Sequence, residues 1–260
     1  MATPKLPRRI SANPTGTDGN SNNILNLILL GLPADELTAA VKKLEFVELP
    51  THSVLHEPGE TLTHAYFINS GLASALNVMT DGKSVEVGLA GKEGFVGLPL
   101  VVGLSSSPTQ VIMQVGGSAY QLTAADLKEV LSHSPALEKG LNRYAQILGM
   151  QATHVAACNR RHEVDERLAR WLLMSQDRLG GEIAPLTQEF LAHMLGTRRA
   201  SITVAAGILQ KAGLITYNRG SVRIDDRSGL EDAACECYTS IKQQTKKWEK
   251  ELNRLGTLPR

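Results

Sequence analysis

Two adjacent arginines followed by hydroxyls, in Thr197-Arg198-Arg199-Ala200-Ser201-Ile202-Thr203, are the residues of this chain best suited to chemistry. The chemistry they suit is recognition. On a helix, guanidinium groups read guanine edges and hydroxyls take phosphates or bases, and the major groove admits such a face. Thr187 upstream, and Arg219 and Ser221 downstream, extend the same set. From Leu186 to Arg223 there are five Lys/Arg against one acid, Glu189, while the whole chain carries a formal charge of only +1. That contrast favours a localised binding face over a non-specific nucleic-acid coat.

Three other constellations have reactive residue types but weaker spacing. His52, His56 and His64 fall among the first strands, where a cupin-like roll would bind a metal. The cupin pattern of two histidines one residue apart with a nearby glutamate is absent. Cys235-x-Cys237 offers two soft ligands, with Cys158 too distant in sequence to join them by inspection, so ordinary reduced thiols and no metal are expected. Gly91-x-x-Gly94-x-x-Gly97 has phosphate-loop glycines but opens no clear helix, and turn glycines account for it. No cofactor and no catalytic residues are expected, and the chain reads as a non-enzyme.

The elements that must position the arginines are legible around them. Thr187 is a competent N-cap, Phe190, Leu191, Met194 and Leu195 follow at helical spacing, and Gly196 suits the positive φ of a helix stop. A second helix starts near Thr197, with Ile202, Ala205, Ala206, Ile208 and Leu209 assigned to the face packed on the first. Thr216 to Ile224 then reads as a two-stranded hairpin turning at Asn218-Arg219-Gly220. A helix-turn-helix followed by a basic hairpin is a winged helix.

The rest of the chain supports that reader. With 260 residues and 42% apolar content, two modest domains are affordable. Residues 1–23, rich in Pro, Ser, Thr, Asn and Gly, read as disordered. No apolar run suits a membrane span or signal peptide, and three cysteines are too few for a disulfide framework, so a cytoplasmic location is expected. Two helices over Ile24–Leu44 precede short strands with glycine turns from Glu45 to Leu122, the signature of a jelly roll. Thr123 caps a helix. Ser134-Pro135 opens a longer one to about Arg161, with Leu141, Tyr144, Leu148, Gln151 and Val155 assigned to a homodimer seam. His162–Asp177 is a further amphipathic helix, and Gly229–Leu255 a charged terminal one.

Roll, long helix and winged helix in this order resemble the CRP/FNR superfamily of bacterial transcription regulators over about Ile24 to Leu230. The strongest carriers are His162-Glu163-Val164-Asp165-Glu166-Arg167-Leu168-Ala169 and Thr187 to Ile215. The resemblance implies an α+β fold: a cyclic-nucleotide-binding-like roll with flanking helices (24–133), a dimerisation helix (134–161), a winged helix-turn-helix (162–230) and a helical tail (231–260). It implies double-stranded DNA as ligand, a homodimer on a pseudo-palindromic site, and RNA polymerase as the protein such a regulator would address. Thr187 matches the family's phosphate contact, Arg199 its guanine-gripping arginine, and Ser201 a neighbouring hydroxyl. The family's glutamate after that arginine is here Ala200, and its later arginine is Val204. In the roll, the positions that hold a cyclic nucleotide's ribose and phosphate become Leu98, Pro108 and Thr109, which implies a branch that does not bind cAMP. The reading from another class is a cupin-like ligand- or metal-binding roll whose helical tail serves assembly.

Overall fold

The structure, a computed structural model, describes residues 24–181, 186–218 and 220–255. The amino-terminal tail read as disordered and Arg219 of the wing turn lie outside them. The described chain begins with α1 (Leu27–Leu30) and α2 (Ala34–Val41), then β1 (Glu45–Leu49), β2 (Val54–His56), β3 (His64–Ile68), β4 (Leu72–Val78), β5 (Ser84–Ala90) and β6 (Phe95–Val96). It continues with α3 (Leu98–Val101), β7 (Gln110–Val115), β8 (Gly117–Thr123), α4 (Ala124–His133), α5 (Pro135–Arg161) and α6 (Val164–Leu179). The remainder is α7 (Gln188–Leu195), α8 (Arg199–Lys211), β9 (Ile215–Asn218), β10 (Ser221–Ile224), α9 (Arg227–Ala233) and α10 (Cys237–Leu255).

The roll is two four-stranded sheets, ordered β1-β8-β3-β6 and β2-β7-β4-β5. In the first, β8 is central and antiparallel to both neighbours, pairing Phe46 with Tyr120 and Phe67 with the same Tyr120. Strands β6 and β8 were not legible as strands in the sequence. The glycine run yields only the one-turn helix α3 after Gly97, whose φ of 113° ends β6.

The chain divides into two compact units that cut through elements. One holds residues up to Ser74, Ala90–Leu148 and Lys246 onward, and the other Ala75–Leu89 and Gly149–Thr245. The long helix and the tail are therefore each shared between units. In the first unit, Ile28, Leu29, Phe67, Phe95, Tyr120, Leu141 and Tyr144 form one core, joined by Trp248 and Leu252 of the tail. Trp248 stacks on Tyr144 at 6.2 Å and donates to the Glu93 carbonyl.

Two sequence assignments are corrected in this unit. Ser134 does not cap α5 with its side chain, because its buried hydroxyl has no hydrogen-bond partner among the described residues. The carboxylate of Glu36, on α2, instead accepts from the Ala136 and Leu137 amides at 3.1 and 3.3 Å. Anionic oxygen at a helix N-terminus satisfies free amides and complements the helix dipole. Leu141 and Tyr144, 0% and 2% exposed, face this core and have no surface left for a dimer seam. The first half of the 3.5-residue repeat that suggested the seam, Leu141 to Leu148, is the stripe by which α5 packs on its own roll. Gln151 and Val155 are also buried in the single chain, and Leu148 is half-buried. The exposed face of α5 carries Gln146, Gly149, Met150, Thr153, Ala156 and Ala157.

Candidate nucleic-acid interface

The helix-turn-helix is fixed at its corners by backbone chemistry. Thr187 accepts from the Phe190 amide at 3.1 Å, so its hydroxyl oxygen caps α7. At the other end Gly196 takes φ 58°, and the Thr197 amide reaches back to the Ala192 carbonyl at 2.9 Å. This six-to-one bond is the Schellman closure, which absorbs the last carbonyls of α7 and turns the chain into α8. Arg198 sits at the N-cap of α8 and Arg199 is its first residue.

Ile202, Ala205, Ala206 and Leu209 are buried, all 3% exposed or less, and form the inward stripe of α8. Ile208 does not belong to it. It is 49% exposed, and Val204, four residues earlier, is 64% exposed. A side chain one position before Leu209 is rotated about 100° around the helix and leaves the packed face.

The outward residues differ in what they have free. Arg198 and Arg199 are exposed, and neither has an ion-pair partner among the described residues. Thr203 is exposed but its hydroxyl bonds Gln188 Oε1 at 2.7 Å, tying α8 to α7. Its single proton is thereby spent, leaving it an acceptor. Ser201 is half-buried. A cleft of about 1250 Å³ runs beside the arginines, lined by Asp81, Lys83, Glu189, Arg198, Arg199 and Ser201 among others. A smaller one of about 500 Å³ lies toward the wing, between Thr187, Gln188, Arg199, Thr203, Gln210 and Gly220.

The wing is a tight hairpin in which Ser221 pairs with Asn218 and Gly220 takes φ 83°. It is fastened to the entry of α7: Leu186 donates its amide to the Gly220 carbonyl, and Tyr217 its hydroxyl to the Leu186 carbonyl at 2.6 Å. Arg223, one of the five Lys/Arg of this stretch, is paired to Asp225 at 2.7 Å. Asp225 follows the stretch by two residues, so the wing contributes less positive charge than its arginines alone suggest.

Helix α6 carries this platform. Its N-terminus has a capping box between Glu163 and Glu166, and Leu168, Trp171 and Leu172 are buried. Trp171 donates from its indole to Glu86 at 3.0 Å, within the same unit. Arg167, also buried, donates to the Leu195 carbonyl at the last turn of α7.

In the roll, the three positions implied for a cyclic nucleotide hold no matching chemistry. Leu98 opens α3, Pro108 is exposed, and the Thr109 hydroxyl lies 2.9 Å from Ser107 Oγ. A wider signal was present in the sequence: residues 24–142 contain no arginine at all. The histidines are dispersed. His64 bonds Thr63, His52 sits in a turn at φ 67°, and His56 is buried, which pushes its pKa down. Among the described residues they form no ligand group, and the cupin-like reading is left without a metal site there.

Comparison with known proteins agrees with both halves. A cyclic nucleotide-binding domain model matches residues 46–134, and a Crp-like helix-turn-helix domain model matches residues 166–233. No curated protein matches the chain. Among solved structures, FixK2 from Bradyrhizobium japonicum is similar with TM-score 0.64 and 14% identity, covering 74% of this chain and 98% of its own. A putative CRP/FNR-family regulator from Eubacterium rectale gives 0.63 and 17%, covering 79% and 96%. The regulator CLP from Xanthomonas campestris gives 0.62 and 17%, covering 74% and 98%. At these identities the likeness speaks for the fold. No described helix is long and apolar enough to cross a membrane. With a cyclic nucleotide-binding domain and a Crp-like helix-turn-helix in this order on this fold, the chain belongs to the CRP/FNR superfamily of transcription regulators.

Proposed function

We propose that the protein is a cytoplasmic, non-enzymatic regulator that binds a pseudo-palindromic DNA site as a homodimer, inserting α8 of each protomer into a major groove. The observation that carries this reading is the pair of exposed, unpaired guanidinium groups at the start of α8. Cations left uncommitted on the outward face of a second helix are what phosphate neutralisation and guanine readout require. Arg199 is assigned to a guanine, and Arg198 to a phosphate or adjacent base. Thr187, Thr197, Ser201 and the wing residues Arg219 and Ser221 are assigned to positioning on the backbone. Thr203 serves as an acceptor only. Ala200 leaves cytosine without a carboxylate acceptor, and exposed Val204 offers apolar surface to a thymine methyl. The half-site should therefore differ from one read by a glutamate and a second arginine.

Dimerisation is assigned to the exposed face of α5, where Gly149, Thr153, Ala156 and Ala157 allow close approach and Met150, 40% exposed, supplies apolar area. A two-fold axis along this helix presents the same patch from both protomers. Selection of bound fragments from a random DNA pool tests the reading. A recovered inverted repeat with half-sites about 34 Å apart supports it; recovery of unrelated sequences, or of single half-sites by a monomer, refutes it. RNA polymerase is the partner proposed for the bound dimer.

The effector of the roll is proposed not to be cAMP. Burying a cyclic phosphate with no cation to meet it costs several kcal/mol, and the arginine-free roll provides no guanidinium. Calorimetric titration should give no micromolar binding, and a micromolar dissociation constant would reject this assignment.

A further inference from the structure

Cys235-x-Cys237 has no further cysteine or histidine ligands near it in sequence. Folding supplies them: Cys158, His162, Cys235 and Cys237 come together with all four ligating atoms within 4.8 Å of one another. Cys158 and His162 stand four residues apart near the end of α5 and so share one helix face. Cys235 lies in the bend between α9 and α10, and Cys237 is the first residue of α10. The Cys158 and Cys235 sulfurs are 3.4 Å apart, and Cys237 Sγ is 3.8 Å from His162 Nδ1. We propose that these four side chains are a binding site for a single tetrahedral zinc(II) ion.

Three independent features point to an ion. The first is the donor set. Three thiolates and an imidazole are a zinc set of the Cys₃His type, and zinc–ligand distances of about 2.0–2.3 Å place tetrahedral ligands some 3.3–3.8 Å apart. The existing spacings need little adjustment, whereas a multi-iron cluster would hold its thiolates farther apart. The second is the orientation of the imidazole. His162 turns Nδ1 to the sulfurs and Nε2 to the Glu236 carboxylate at 3.0 Å. A carboxylate on the far nitrogen is the usual outer support of a zinc-ligating histidine, fixing its tautomer.

The third is an unbalanced charge. Arg167 and Arg170 are 7% and 4% exposed, and the Nε of each is buried without a hydrogen-bond partner among the described residues. Among the described residues neither forms an ion pair with a carboxylate; Arg170 donates to Met174 Sδ at 3.3 Å and faces the Cys158 sulfur, and Arg167 donates to the Leu195 carbonyl. Buried guanidinium groups require an anion. Both interact electrostatically with Cys158, and zinc(II) with three thiolates carries a net charge of −1. A disulfide between Cys158 and Cys235 would leave this charge unmet and give Cys237, His162 and Glu236 no common purpose. As it binds, the ion displaces the thiol protons of the three cysteines to solvent, with no change of oxidation state.

This site stands apart from the DNA-binding reading, and its test needs no DNA. The full-length protein, purified under reducing conditions without chelator, is analysed for metal and then stripped and titrated with zinc(II) and cobalt(II). The expected result is one zinc per chain and, with cobalt, the visible absorption of tetrahedral thiolate coordination. Cys237→Ser and His162→Ala should each weaken zinc binding at least tenfold, and Glu236→Gln by about tenfold. His162→Cys, which keeps four ligands, should retain zinc even if the serine variant folds poorly. A fully reduced chain that takes up neither metal overturns the proposal. So does a Cys158–Cys235 disulfide in metal-free protein from the same purification, or iron with a visible chromophore in place of zinc.

Discussion

Arg199 is the residue proposed to grip a guanine, and among the described residues its charge has no ion-pair partner at the start of α8. Arg199→Ala should weaken binding to the selected site by about 1–3 kcal/mol and relax preference at one base pair, as measured by competition on single-position site variants. An equal loss on every sequence would make it a phosphate contact. Neighbouring hydroxyls are not equivalent to one another. Thr203 donates to Gln188, so Thr203→Val removes a tie between α7 and α8 as well as an acceptor. Residue types and spacing pointed to the face proposed to read DNA. They did not reveal that Arg223 is neutralised by Asp225 or that Ile208 points outward, because both depend on partners set by the helix and hairpin geometry.

At the scale of the element, the turn between α7 and α8 rests on Gly196. Its φ of 58° is costly for any residue with a Cβ, and a Cβ there would stand 3.0 Å from a Val85 methyl carbon of the β5 arm. Gly196→Ala should destabilise the fold by roughly 1–2 kcal/mol, read as a lower urea midpoint with DNA affinity falling alongside. Helix α9 is held by charge. Glu231 accepts from Lys242 at 2.8 Å and pairs with Arg227, which also reaches Asp177 and Tyr238. The Lys242 ammonium first, then Arg227, holds the Glu231 carboxyl below its ordinary value of 4.5. A depressed carboxyl contributes stability above its unfolded pKa and loses it as pH falls through the folded one. Glu231→Gln should therefore lower the melting temperature at neutral pH, with the gap to the parent closing below pH 4.5. These pairs are partly exposed, so each contributes only about 0.2–1 kcal/mol. The caps at Thr123 and Thr187 were legible because a cap is local. Glu36 as the cap of α5 was not, since a hundred residues separate it from the amides it meets.

At the scale of the whole molecule, the tail is part of the fold. Trp248 and Leu252, each 1% exposed, complete the helical side of the first unit's core, and Tyr238 and the two tail cysteines are buried in the second. Trp248→Ala should cost about 3–5 kcal/mol, measured by denaturant unfolding, with Trp248→Phe costing distinctly less because it keeps a ring on Tyr144. The sequence by itself determined the order of domains, the winged helix, the N-caps at Thr123 and Thr187 and the basic face, because each rests on spacing within a few turns of chain. Tertiary structure alone decided which stripe of α5 is buried, since an apolar repeat states that a face is covered but not by what. It also decided the cysteine–histidine cluster. Cys158 and Cys235 are 77 residues apart, and only the packing of α5 against the α9–α10 bend converts two unremarkable motifs into four ligands around one point.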